Sequence, residues 1–210
     1  MEFDYVVVGA GSAGCAVASR LTQCGNYRVA LVEAGPPDNN PWIHVPVGYF
    51  STMGNPKSDW RYETQPDTGI AGRSIPWPRG RVMGGSSSIN GLLYVRGQPQ
   101  DFDIWSQLGC MGWSWDEVLP YFKRSENWDG IDETGLRGKE GPLSVQSSRL
   151  KRDIVDNWVD AAVAAGYQRN YDYNGSSQVG VCHFQLTMKG GRWCSSSAAY
   201  ITPVKSRKNL

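Results

Sequence analysis

Six residues near the amino terminus, Gly9-Ala10-Gly11-Ser12-Ala13-Gly14, constrain the fold more than any other feature of the chain. They follow directly on a β-branched run, Phe3 to Val8, which predicts a short strand buried in a parallel sheet. After them, Ala13, Val17 and Leu21 recur every four residues, which predicts a helix to about Gln23 with these three on one face. Gly25-Asn26 ends that helix, and Arg28 to Glu33 reads as a second strand closing on an acid. The result is a βαβ unit of about 30 residues. In the pattern Gly9-x-Gly11-x-x-Gly14, the first glycine permits a tight turn and the second lets backbone amides approach a pyrophosphate. The third lets helix and strand pack closely. The helix N-terminus adds roughly half a positive charge facing the phosphates. Glu33 stands where its carboxylate can accept bonds from both hydroxyls of an adenosine ribose, and an acid there repels the 2′-phosphate of NADP. This unit does not separate FAD from NAD.

Beyond it the chain changes character. Residues 35–79 hold eight of the twelve prolines and few periodic runs, the mark of a lid or ligand-covering loop. Trp42, Tyr49, Phe50 and Trp60 are candidates to anchor it. Three helices are predicted further on. Asp101 caps Phe102 to Leu108 with Gly109 as the stop, and Ser114 with Glu117 forms a capping box for Trp115 to Ser125. Pro120 is expected to kink or split the latter. The third runs from Leu150 to Ala165, with Leu150, Ile154, Trp158, Ala161 and Ala165 along one face. Val179 to Met188 reads as strand, and Ser195 to Ile201 opens a helix broken by Pro203.

Composition excludes several classes. With 21 basic and 20 acidic residues and a net charge of +1, no basic stripe points to nucleic acid or an anionic membrane. Five scattered cysteines make no framework and suggest reduced thiols. Cys182, His183 and Cys194 lack a fourth ligand at sensible spacing, so no metal is expected. The run Tyr5 to Ala18 is too short and glycine-rich to span a bilayer, and Glu2 and Asp4 carry the wrong charge for a signal peptide, so we expect a cytoplasmic protein.

A second constellation carries more information. Pro78 to Asn90 offers Gly84-Gly85, the hydroxyls of Ser86, Ser87 and Ser88, and the Asn90 carboxamide, flanked by Arg79 and Arg81. This suits a backbone nest for anionic or carbonyl oxygens, with Asn90 aimed at a polar ring edge. The run Gly80-Arg81-x-Met83-Gly84-Gly85-Ser86-Ser87-x-Ile89-Asn90-x-x-x-Tyr94-x-x-Gly97 resembles a diagnostic pattern of the glucose–methanol–choline (GMC) flavin oxidoreductases, in particular the choline-dehydrogenase-like alcohol dehydrogenases. Met83 is its one mild departure, where a branched aliphatic is usual. The resemblance extends over nearly the whole chain, through Glu33-Ala34-Gly35, Asp59-Trp60-Arg61-Tyr62, Gly112-Trp113-Ser114-Trp115, Gly141-Pro142-Leu143 and Ser197-Ala198-Ala199-Tyr200.

The resemblance implies an α/β fold, a Rossmann-like FAD-binding domain over residues 1–145. Residues 146–210 would then begin an α+β substrate domain, left incomplete, and return to the first. It implies that Gly9, Gly11, Ser12 and Gly14 cradle the FAD pyrophosphate and that Glu33, with Ala34, holds the adenosine ribose. Val82, Gly84, Gly85 and Ser86 would pass close to the cofactor, and Asn90, Gly91, Leu92 and Leu93 would lie along the isoalloxazine. Some relatives link flavin covalently through a histidine at the position of Ile89, so flavin here is expected to be non-covalent. The implied reaction is hydride transfer from a small-molecule alcohol to flavin N5. The family's second Ser-Gly-x-Gly pattern and its catalytic histidine are expected beyond residue 210, in a missing C-terminal half. His44 and His183 match neither, so no catalytic residue is assigned. Three alternatives stay open: an inactive flavin-binding remnant, a non-oxidative relative (lyase or photodecarboxylase), and an NAD-dependent dehydrogenase, the last disfavoured by the Gly80 to Asn90 run.

Overall fold

The computed structural model describes residues 2–210, which divide into two compact units: the chain up to Leu92 together with Gly190–Leu210, and Leu93–Lys189. This division does not follow the expected boundary at residue 145, because the stretch from Leu93 onward forms its contacts within the second unit. The return of the last residues to the first unit leaves it discontinuous in sequence.

In the first unit, β1 (Tyr5–Val8) pairs in parallel with β2 (Val29–Val32), in register from Tyr5 opposite Val29 to Val8 opposite Val32. Helix α1 (Ser12–Leu21) crosses between them, and Ala10, Cys15, Ala18, Val29 and Ile201 form the core. The fully buried residues of α1 are Cys15 and Ala18; of the expected row, Leu21 packs half-buried against this core, while Ala13 and Val17 are exposed. Small side chains let the helix axis approach the strands, and the bulkier row would hold it away. The strands are also less covered than a buried parallel pair implies: Val6 is 60 % and Val8 83 % exposed. The sheet has two strands among the described residues, and its outer face carries exposed Val6 and Val8.

The end of the chain is fastened to this unit by specific bonds. Val29 donates its amide to the Asn209 carbonyl (2.8 Å), and Arg207 reaches the Ser19 carbonyl and the Thr22 hydroxyl (2.8 and 2.9 Å). Before that, Ser197–Ile201 forms a helical turn where a helix is predicted, and it is of the π type. The proline-rich segment holds the short helices α2 (Pro41–His44) and α3 (Tyr49–Thr52) and a minimal hairpin of β3 (Tyr62–Glu63) with β4 (Pro76–Trp77). Trp42, Phe50 and Trp60, expected as anchors, are exposed. The anchors are Ile43, buried with Val82 and Ile89, and Asp59. Asp59 accepts the amides of Arg61 and Arg79 on one oxygen and of Gly54 on the other.

In the second unit, α4 (Pro99–Gln107) starts earlier than predicted, because Pro99 fills its first position and Asp101 reaches back to the Gln98 amide (2.8 Å). Helix α5 (Trp115–Ser125) has the predicted Ser114–Glu117 box and runs unbroken across Pro120. The three-stranded sheet is β5 (Glu126–Trp128), β6 (Leu143–Ser147) and β7 (Gln185–Leu186). The strand read over 179–188 is thus mostly irregular; Gly180, at φ +124°, breaks its start. Helix α6 (Asp153–Ala164) buries Val159, while Ile154 and Trp158 of the predicted inner face are 75 % and 63 % exposed. No helix of the described residues is long and apolar enough to cross a membrane.

A buried ion cluster holds this unit together. The Glu126 carboxylate accepts from Arg96 and Arg137 (2.5 Å each) and from the Gly138 amide (2.8 Å). Arg137 also pairs with Asp172, bonds the Gln185 side chain and lies over the Trp128 ring. Removing one member of such a buried set costs about 3–5 kcal/mol, because the partners stay buried and unpaired. Glu126→Ala is expected to lose that much in urea unfolding followed by circular dichroism. A loss typical of an exposed pair, below about 1 kcal/mol, would mean that water enters the cluster.

Candidate functional site

The glycine-rich turn has the geometry its spacing requires. Gly9 sits at φ +93°, a conformation that favours glycine, and a Cβ on Gly14 would lie 1.9 Å from the Gly9 carbonyl oxygen and 3.4 Å from Val7 Cγ1. Around Gly11 a Cβ would meet no atom within 4 Å, so this glycine faces open space. Gly11 is also the N-cap of α1 and supplies no capping side chain. The amides of the first turn are thereby left for an outside acceptor. Ser12 is exposed beside them.

Ala10, wholly buried between the first two glycines, is the crossing point of the site. Its amide donates to Glu33 Oε2 (2.8 Å), while Glu33 Oε1 accepts the Gly35 amide (2.9 Å). Its carbonyl accepts the Gly84 amide (2.7 Å) and the Cys15 thiol (3.1 Å). Glu33 therefore already holds the loop with both oxygens, and each oxygen keeps a further lone pair for another donor. Burial pushes the Cys15 thiol up to about 11, partly opposed by the Gly84 N–H, so it stays a protonated donor. Sequence reasoning missed Cys15, since a small apolar position in a helix carries no signal of this bond.

The second motif lies on the first. Gly84 and Gly85 adopt φ +90° and +55°, and a Cβ on Gly85 would come within 2.7 Å of Gly11 Cα. A Cβ on Gly35 would lie 2.1 Å from the Arg81 carbonyl oxygen, so the segment after Glu33 also packs against this run. The serine hydroxyls of this run bond backbone groups. Ser86 Oγ accepts the Gly80 amide, and Ser87 Oγ donates to the Gly84 carbonyl and accepts the Ser196 amide. Ser88 Oγ donates to the Met83 carbonyl. They fix the loop from within, because buried backbone groups there would otherwise lack partners.

The remaining candidates fall in two groups. Val82 is buried with Ile43 and Ile89, and Ala34 is exposed next to Glu33. Asn90 and Gly91 are exposed, with Asn90 Oδ1 accepting the amide of buried Leu92 (2.9 Å), which sits at φ +62°. Leu93 belongs to the second unit, where it bridges to Leu186. Of the histidines, His44 Nε2 lies 2.7 Å from the Asp38 carbonyl, and exposed His183 is 3.0 Å from Asp156. No group of His, Cys, Asp and Glu among the described residues is placed to hold a metal.

The comparisons agree with this architecture. A family model described as GMC oxidoreductase matches residues 3–210. An oxygen-dependent choline dehydrogenase of Brucella anthropi is 44 % identical over 210 residues, which is all of this chain and 38 % of that protein. The crystal structure of pyridoxine 4-oxidase from Mesorbium loti superposes with a TM-score of 0.92 at 35 % identity, covering 100 % of this chain and 41 % of its own. An FAD-dependent oxidoreductase from Chaetomium thermophilum gives 0.89 at 28 % identity over 99 % of this chain and 37 % of its own. The chain thus spans about two-fifths of the length of these proteins.

The Cys15 thiol makes a pH prediction. Its proton is held in the folded chain to about 11 but leaves the unfolded chain near the ordinary 9.0. Its stabilising contribution is complete below pH 9 and is lost as pH rises through about 11, since only the unfolded state gains by releasing the proton. Cys15→Ala is expected to flatten this alkaline limb in denaturant titrations run across that window. In the folded protein a thiol reagent is expected to label exposed Cys24 and Cys110 and to spare Cys15.

Proposed function

The chain belongs to the GMC oxidoreductase family, and on that premise we propose that it is the part of an FAD-dependent oxidoreductase, acting on a small alcohol, that holds the cofactor. The observation that carries this reading is the crossing at Ala10, where the glycine turn, the acid of β2 and the Gly84-Gly85 motif meet in one buried peptide group.

The residues fit the cofactor. Gly11 and the first turn of α1 present open space and uncapped amides for a pyrophosphate, and Glu33 retains lone pairs for ribose hydroxyls while it holds the turn. An acid there again favours FAD over a 2′-phosphorylated dinucleotide. Asn90, Gly91, Leu92 and Leu93 are assigned to the isoalloxazine side, and Gly84, Gly85 and Ser86 to the approach. Ile89, buried with Ile43 and Val82, offers no nucleophile, so we assign non-covalent binding. Bound FAD supplies a two-electron acceptor for oxidation of a CH–OH donor. This chain's part is to bind and orient it. Neither histidine is assigned as proton acceptor, because each is already engaged, His44 at Asp38 and His183 at Asp156.

Two measurements test the reading. Glu33→Ala removes a charge-assisted acceptor of roughly 1.5–3 kcal/mol per bond and is expected to weaken FAD binding at least about tenfold in a fluorescence titration. An unchanged dissociation constant would overturn the ribose assignment. Acid precipitation of the flavin-loaded protein is expected to leave all yellow colour in the supernatant; colour kept in the pellet would overturn non-covalent binding.

A further inference from the structure

The sequence contains two Asn-Gly pairs, Asn90-Gly91 and Asn174-Gly175, and the structure places them in opposite surroundings. An Asn-Gly pair can react with itself. The following amide nitrogen attacks the side-chain carbonyl carbon, a step that glycine permits because no Cβ obstructs the approach. Which pair reacts depends on whether the electrophile and the nucleophile are free to meet.

Asn174-Gly175 is locked. Asn174 is only 3 % exposed, its Nδ2 donates to the Tyr94 carbonyl and to Gln185 Oε1 (3.0 Å each), and its Oδ1 accepts the Arg96 amide (2.8 Å). The Gly175 amide, which would be the nucleophile, donates to the Asp172 carbonyl (3.1 Å). Attack there would break several buried hydrogen bonds at once.

Asn90-Gly91 lacks these restraints. Both residues are exposed, and a Cβ on Gly91 would meet nothing within 4 Å. The hydrogen bond given to the Asn90 side chain is the Leu92 amide on Oδ1 (2.9 Å). That donor polarises the carbonyl under attack and supports the negative charge that develops on its oxygen, as a single oxyanion-type donor does.

We propose that Asn90-Gly91 is a self-modification site, at which the Asn90 carboxamide is converted spontaneously to aspartate and isoaspartate. The Gly91 nitrogen loses its proton and forms a bond to Asn90 Cγ. The Cγ–Nδ2 bond breaks and ammonia leaves, closing a five-membered succinimide. Water then opens that ring at either carbonyl, giving aspartate or, with the backbone rerouted through the side chain, isoaspartate. No electrons are transferred and water is the only co-reactant. Either product puts a negative charge where a neutral carboxamide stood. On the reading of the preceding subsection, which this consequence rests on, that charge would face the flavin, and ageing would weaken cofactor binding while the fold persists.

The test is peptide mapping by mass spectrometry with isoaspartate detection, on the 210-residue protein incubated at mildly alkaline pH, with and without FAD. The Asn90 peptide is expected to gain the mass of an amide-to-acid exchange and to release ammonia, with the Asn174 peptide unchanged. Gly91→Ala, for which the structure leaves room, is expected to slow the conversion by about tenfold or more. Equal conversion at both pairs, or none at Asn90, would overturn the proposal. Saturating FAD is expected to slow the reaction at Asn90. Conversion that FAD leaves unchanged would sustain the modification site and overturn the placing of Asn90 against the flavin, so the two ideas fail separately. Asn90→Asp fixes the charge of one product and is expected to weaken FAD binding without lowering the melting temperature of the unloaded chain.

Discussion

The first unit depends on one buried peptide group. Ala10 has no water to turn to, so its N–H and C=O must both be satisfied inside the protein, and an orphaned backbone group there would cost about 1–3 kcal/mol. The partners that satisfy it come from nearby Cys15 in α1 and from two distant parts of the chain, Glu33 just after β2 and Gly84 in the second glycine motif. Meeting one local requirement thus brings the turn, the acid and the motif into register. The glycines around it are the residues that make the approach possible, since side chains on Gly14, Gly35 or Gly85 would each overlap backbone. The geometry is set by the protein's own hydrogen bonds, and the amides at the start of α1 receive no capping side chain.

The second unit solves a different problem. Its sheet is small and its helices leave large apolar side chains in water, so the hydrophobic contribution per residue is modest. Order comes from Glu126 and the two arginines, with Asp172, Gln185 and Asn174 extending the network to the segment around Tyr94 and Arg96. Such a network specifies one arrangement because each member is costly to leave unpaired. The same network keeps the side chain of Asn174 fixed, whereas the exposed loop at Asn90 has no comparable hold. Two chemically identical dipeptides therefore differ in what they can do.

Much of this was legible in the residues themselves. The βαβ unit, the tight turn at Gly9 and the close packing at Gly14, the capping box at Ser114 and the family all follow from local pattern, because turns and caps involve residues close together in the chain. The inner faces of α1 and α6 were not legible. Periodicity marks an apolar row but does not say what lies opposite it. In α1 the residues buried against the strands are the small Cys15 and Ala18, and in α6 Ile154 and Trp158 stay largely exposed while Val159 is buried.

The sequence by itself determined which segments turn, which acid follows β2, and which chemical family the glycine and serine pattern belongs to. Those are properties of residue type and spacing. Only the tertiary structure decided what the polar groups do. Glu33 is a clamp on Ala10 as well as an available acid, the serines of the second motif brace their own loop, and the Asn174 side chain is held by three buried bonds where exposed Asn90 accepts the Leu92 amide. Hydrogen bonds between residues far apart in sequence make those distinctions, and no local pattern encodes which distant partner a side chain will meet once the chain has folded.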